Sequence, residues 1–233
     1  MLSNTPSGAL GDLAMAARDI DAAETVDSVA QQSVEFVATY IGGCAAASIT
    51  FAGRESFESL AESDSLALRA DQLQAELGEG PSLDAVVETP TVYAADLAHD
   101  PRWPLWAGSV VHDLGVRSIV SYRLFTSDET IGALNRSGKE VDAFDDEARE
   151  LGYLAATQIA VVISSTRKEQ SFRSALATRV AIGQAQGMLM ERFGLSADQA
   201  FNVLRRASTS HDVPLREIAD ELIRTRELPA DVE

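Results

Sequence analysis

The chain has 233 residues, enough for one large domain or two small ones, and 45% of them are hydrophobic, so proper cores are expected and wholesale disorder is excluded. A single cysteine, Cys44, excludes an intrachain disulfide and argues against a cysteine-based zinc site. The net charge of −17 argues against nucleic acid until its distribution is considered: residues 165–233 hold ten basic and ten acidic residues, and residues 1–164 hold nine and twenty-six. All the net acidity therefore lies in the first part, which predicts two modules with different tasks.

Residues 1–20 are small and polar and read as a lead-in; with no basic n-region and no long apolar core, Met1–Ala16 does not read as a signal peptide. The most apolar run, Ile159–Ile163, is too short to span a bilayer. A cytoplasmic location, where thiols stay reduced, fits these features.

From Asp21 the helical spacing of Val26, Val29, Ala30, Ser33, Val37 and Tyr40 predicts a helix closed by Gly42-Gly43. Ala45, Ala47, Ile49 and Phe51 alternate as in a half-buried strand. Leu66, Ala70, Leu73 and Leu77 mark an amphipathic helix, punctuated by Gly78 and Gly80-Pro81, and a short helix runs to about Glu88. Residues 90–95 read as a strand, 99–106 as a turn into a helix, and 117–125 and 130–135 as a hairpin about Ser127-Asp-Glu129. Acidic residues after Phe144 open a further helix, and nothing breaks it before Ile182, so it is expected to continue across the domain boundary and to couple the two parts. The fold class expected is α+β with a mostly antiparallel sheet, joined by a long helix to an all-α three-helix module.

Within that module Phe193-Gly194 is a helix stop, and Ser196-Ala-Asp-Gln199 is a capping box that starts a second helix. Its Ala197, Ala200, Phe201, Leu204 and Ser208 are expected to line one face, with Asn202, Arg205, Arg206 and Thr209 opposite. Pro214 opens a third helix, with Leu215, Ile218, Ala219, Leu222 and Ile223 on one stripe. Gly183 and Gly187 stand in mid-helix at a cost of ~1 kcal/mol each relative to Ala. Either another helix packs closely on them, or a nucleic-acid backbone approaches there.

Ala181-Ile-Gly-Gln-Ala-Gln-Gly-Met-Leu-Met-Glu-Arg-Phe-Gly194, Ala200-Phe-Asn-Val-Leu-Arg-Arg206 and Leu215-Arg-Glu-Ile-Ala219 resemble, in order and spacing, an ANTAR domain over roughly residues 168–226. The resemblance implies a three-helix module that binds paired stem-loops in nascent RNA, prevents a terminator from forming, and usually acts as a homodimer. The RNA-binding residues expected are Arg179, Gln184, Ala185, Gln186, Gly187, Met190, Arg205 and Arg206. Many members carry Lys where Gln186 stands, so one cation is lost and a weaker salt dependence is expected.

Gln74-Ala-Glu-Leu-Gly-Glu-Gly-Pro-Ser-Leu-Asp-Ala85, Asp96-Leu-Ala-His-Asp-Pro-Arg-Trp-Pro104, Gly115-Val-Arg-Ser118 and Ile131-Gly-Ala-Leu-Asn135 resemble a GAF domain. This implies a small-molecule sensor. The chain departs from that pattern with Ser82 where relatives often have Cys, and with Arg136-Ser137 where they often have a hydrophobic–aromatic pair. Phe51, Tyr93, Trp103, Trp106 and Tyr122 are the candidate pocket walls, each weighed against ordinary core. The ligand is not legible, no cofactor is named, and His99 and His112 read as surface residues in preference to metal or haem ligands.

The domains expected are a lead-in at 1–20, a sensory domain at 21–163, and a linker helix with the RNA-binding module at 164–229. No P-loop, G-x-S-x-G motif or metal spacing is present, so no catalytic residue and no metal site are expected, and the chain reads as a regulator and not an enzyme. The alternative is a DNA-binding transcription factor in which the second and third helices form a helix-turn-helix. Against that, their link at about 209–213 is longer than usual.

Overall fold

The computed structural model describes residues 23–52 and 57–227, so the expectations for 1–20 and for the end of the RNA-binding module at 228–229 lie outside the described residues. It divides into two compact units, split in sequence after Arg167.

In the first unit α1 (Val26–Tyr40) leads to β1 (Ala46–Ala52), β2 (Phe57–Glu62), α2 (Ser65–Leu77), α3 (Pro81–Val87), β3 (Thr91–Ala94), α4 (Pro104–Leu114), β4 (Ser118–Phe125), β5 (Thr130–Gly138) and the start of α5 (Asp146–Phe193). The strands form one antiparallel sheet in the order β2-β1-β5-β4-β3. Ala47, Ile49, Val120, Tyr122, Leu124 and Leu134 face one side, where Val29, Val34 and Val37 of α1 and Ala156, Ile159 and Ile163 of α5 cover them. Ile119, Ala133, Val92 and Ala94 face the other side, against Ala70 and Leu73 of α2, Ala85 of α3, and Trp106 and Val110 of α4.

Two expectations change. β1 is not half-buried: residues 46–50 are buried without interruption, because helices cover both faces of the sheet. β2 is an additional strand. Its Phe-Glu-Ser-Leu-Ala-Glu run carries two glutamates and lies at the sheet edge, where one side stays wet and charge is tolerated, so its apolar alternation is weak. At the sheet centre Gly132 is required for space, since a Cβ there would stand 1.8 Å from the Thr50 carbonyl oxygen.

The second unit packs the end of α5 against α6 (Ala197–His211) and α7 (Leu215–Thr225). Its core is Ala181, Ala185 and Leu189 with Ala200, Leu204, Ala207, Ile218, Ala219 and Leu222. Gly194 takes φ +64 to end α5. The Ser196 hydroxyl accepts from the Gln199 amide while the Gln199 side chain accepts from the Ser196 amide, as the capping box predicts. The turn from α6 to α7 is shorter than expected, only residues 212–214, because α6 continues to His211 and Asp212 adopts the left-handed conformation usually left to glycine.

Candidate functional site

On the second unit, the surface arginines are engaged differently, and Arg192 donates to the Arg226 carbonyl at 2.7 Å. Arg173, Arg216 and Arg224 pair with Glu169, Asp220 and Glu221. Arg179, Arg205 and Arg206 are exposed, and no carboxylate among the described residues pairs with them. In a segment with as many acidic as basic residues, unpaired cations leave a local positive field open to phosphate.

The other residues expected to contact RNA separate. Gln184 and Gly187 are exposed and Met190 is 38% exposed. Ala185 is fully buried in the three-helix core, so its side chain packs against protein and contacts no ligand. Gln186 is half-engaged: its amide donates to the Ala197 carbonyl at 3.0 Å, tying α5 to the first turn of α6. Phe201 is not on the buried face but 37% exposed, because the residues of α6 that meet the core are Ala200, Leu204 and Ala207, with Val203 partly buried beside them.

Gly183 and Gly187 have no intrachain reason for being glycine: a Cβ at either would meet nothing within 4 Å. Packing of another helix of this chain on them is thereby set aside. Gly183→Ala and Gly187→Ala are each expected to stabilise the module by up to ~1 kcal/mol, read as a higher thermal midpoint. A lower midpoint would mean that the glycines answer a need within the fold.

In the first unit, the five aromatic pocket candidates are not brought together. Trp103 and Trp106 are 2% and 0% exposed and pack edge-to-face at 6.0 Å on the α2/α4 side of the sheet. Their ring N–H groups donate to Asp84 and to the Ala70 carbonyl. Tyr122 is 1% exposed on the opposite side, where Phe51 and Tyr93 also pack and its hydroxyl donates to the Arg149 carbonyl. Two faces of a sheet cannot line one pocket: Trp103, Trp106 and Tyr122 are buried, and Phe51 and Tyr93 are partly buried on the Tyr122 side. The Tyr93 hydroxyl donates to Asp142, and burial together with that carboxylate pushes its pKa up to about 12. His99 and His112 are exposed beside Asp96 and Asp113. No group of three or more His, Cys, Asp or Glu among the described residues is placed to hold a metal.

What lies between the sheet and α2/α3 is a buried polar network that the sequence did not disclose. Asp71, 3% exposed, accepts from Asn135 Nδ2 at 3.3 Å and Gln74 Nε2 at 3.5 Å on one oxygen and from Ser59 Oγ at 3.2 Å on the other. Gln74 brackets Ser82, donating to its hydroxyl and accepting from its backbone amide, both at 2.9 Å. The amide so capped lies in the first turn of α3, whose N-cap, Gly80, has no side chain to offer. Ser82 Oγ then donates to Asn135 Oδ1 at 2.7 Å, and Asn135 Nδ2 donates to Ser48 Oγ at 3.2 Å. Burial pushes the Asp71 carboxyl up to about 7, against the lowering effect of these donors. Glu79 plays a similar capping part, accepting from the Leu105 and Trp106 amides at the start of α4. The glutamine-to-alanine block of residues 74–85 is thus a set of joints between elements. The only advance signal for Asp71 was its place three residues before Gln74 on one face of α2.

A GAF domain family model matches residues 23–164, the greater part of the chain. The chain belongs to the GAF domain family. An ANTAR domain model matches residues 170–223, so the GAF domain is followed by an ANTAR domain. An ANTAR domain implies RNA-binding, antiterminator-type regulation and a GAF domain implies a sensor; both are regulatory domains. A comparison with curated proteins finds no match. Among solved structures, the GAF domain of an Acinetobacter phosphoenolpyruvate-protein phosphotransferase is 15% identical with TM-score 0.56, covering 72% of this chain and 97% of that one. Its counterpart from Coxiella burnetii is 17% identical with TM-score 0.57, covering 72% and 99%. Free methionine-R-sulfoxide reductase from Neisseria meningitidis is 13% identical with TM-score 0.58, covering 72% and 96%. These likenesses bear on the fold of the GAF domain alone. No helix among the described residues is long and apolar enough to cross a membrane.

Proposed function

We propose that this protein is a signal-responsive transcription antitermination regulator of the cytoplasm, whose ANTAR domain binds paired stem-loops in nascent RNA as a homodimer while its GAF domain receives a small-molecule signal. The observation that carries the reading is the set of three exposed arginines of the ANTAR domain, Arg179, Arg205 and Arg206, whose guanidinium groups meet neither a carboxylate nor a carbonyl among the described residues, whereas Arg173 and Arg216 pair with carboxylates and Arg192 donates to a carbonyl. Unpaired guanidinium groups bind phosphate and stack on or hydrogen-bond to unpaired bases, whereas the acidic GAF domain repels polyanions and leaves binding to the module. The exposed Phe172, Leu176 and Val180 on one face of α5 in the same unit supply an apolar surface for a second copy.

The test is a titration of tandem stem-loop RNA, with duplex DNA as comparison, at several salt concentrations. Arg205→Ala/Arg206→Ala should weaken binding on the order of tenfold or more and make the plot of log K against log salt shallower by about 1–2. Unchanged binding by the folded double variant would remove the claim, and equal binding of duplex DNA by the wild type would favour a DNA-binding factor.

A further inference from the structure

The expectation from sequence placed Phe201 in the core, and the structure leaves it out. Its ring is 37% exposed, takes no part in the three-helix core, and carries no aromatic or cationic neighbour among the described residues. Phe172 and Tyr153 are open in the same way, whereas several other exposed or half-exposed rings are covered. Phe51, Phe125 and Phe193 each lie under an arginine, and Tyr40 packs on Phe36.

At about 100° per residue Phe201 lies a quarter-turn from the buried Ala200, and Arg205, one turn on, lies beside it. Neither group is engaged by the other or by a carboxylate: Arg205 is not over the ring, and Asp198, one turn before Phe201, does not reach Arg205. An open aromatic face flanked by an open guanidinium offers two planar π-surfaces and one positive charge. Duplex nucleic acid hides its base faces within the stack, so the complementary chemistry is an unpaired base with its phosphate.

We propose that Phe201 is a base-stacking residue of the ANTAR domain, receiving an unpaired base of an RNA loop on its ring while Arg205 holds the adjoining phosphate. This rests on the RNA reading of the same domain and adds to it where the loop, as distinct from the stem, is recognised. Arg206, on the far side of Asn202, then meets the stem backbone.

The experiment uses the full chain and two RNA probes, a hairpin with an unpaired purine loop carrying 2-aminopurine, and the same stem closed as a blunt duplex. Phe201→Leu keeps the apolar bulk and removes the ring; Phe201→Tyr keeps both. Circular dichroism and thermal melting confirm that each variant folds. The expected result is a loss on the order of tenfold for the hairpin with Phe201→Leu, no change for the blunt stem, loss of 2-aminopurine quenching, and recovery of both with Phe201→Tyr. Stacking is overturned if Phe201→Leu binds and quenches as the wild type does, or if it weakens hairpin and blunt stem equally. Wild-type protein that binds neither probe overturns the RNA reading itself, and the stacking proposal with it.

Discussion

Replacing Asp71 by Asn is expected to stabilise the protein by about 4 kcal/mol at pH 8 while leaving it almost unchanged at pH 4. The cause is the buried network beneath α2. In the folded chain the Asp71 carboxyl is pushed from 3.8 to about 7 by burial, with Glu62 adding to the rise. Between those two values the folded protein holds a proton that the unfolded chain has released, so stability falls as pH rises through the window. The full cost is present above pH 7 and vanishes below pH 4.

The neutral form is well housed. A protonated Asp71 can donate to Ser59 Oγ, which in turn can donate to Glu62 Oε2 at 3.4 Å, while the other Asp71 oxygen keeps Asn135 and Gln74. An asparagine reproduces that arrangement, with its amide nitrogen facing Ser59. Urea unfolding at pH 5 and pH 8 measures the effect as the difference between wild type and variant. This comparison cancels carboxylates of opposite behaviour such as Asp96, which His99 and Arg117 hold down at about 2. Parallel pH profiles for the two proteins would refute the linkage. In a sensor domain the consequence is that α2, α3, β1, β2 and β5 are tied together by a group that changes charge near neutrality.

Arg136→Ala is expected to destabilise the GAF domain by about 3 kcal/mol, read as a lower urea midpoint at unchanged slope. Arg136 is fully buried with no carboxylate beside it. Its guanidinium donates to the Ile41 and Gly42 carbonyls at 3.0 and 2.7 Å and to the Ala148 carbonyl at 2.8 Å, and it lies 4.8 Å from the Phe144 ring centre. No backbone N–H among the described residues reaches the Ile41 or Gly42 oxygen, so removing Arg136 strands both at the end of α1 and leaves a cavity. A variant as stable as the wild type would show that desolvating the cation costs as much as those bonds return. The arginine that departs from the pattern of relatives is therefore a tie between the end of α1 and the first turn of α5. The same charge lies near Cys44, whose thiol burial nonetheless holds above its ordinary range.

Much of this was legible because it is local. Gly78, Gly194, the Ser196–Gln199 box and Pro214 set helix ends through backbone conformations and caps that involve a few neighbouring residues. The three blocks of residues 181–219 sufficed for the ANTAR domain, and four blocks of residues 74–135 for the GAF domain. The charge division between residues 1–164 and 165–233 singled out the second unit as the one suited to RNA.

What the tertiary structure alone decided was burial. Helical spacing assigned Phe201 to the inner face, but α5 and α7 cover the strip through Ala200, Val203, Leu204 and Ala207. Five aromatics that resemble a pocket in sequence lie on opposite sides of a sheet, because Phe51, Tyr93 and Tyr122 point from their strands to one side while α4, which carries Trp103 and Trp106 at its start, packs on the other. Beyond its place three residues before Gln74, nothing in the spacing of α2 marks Asp71, and only the approach of β1, β2 and β5, distant in sequence, removes its water and raises its pKa. Local patterns fix where an element begins and ends; what it faces depends on the elements that come to cover it.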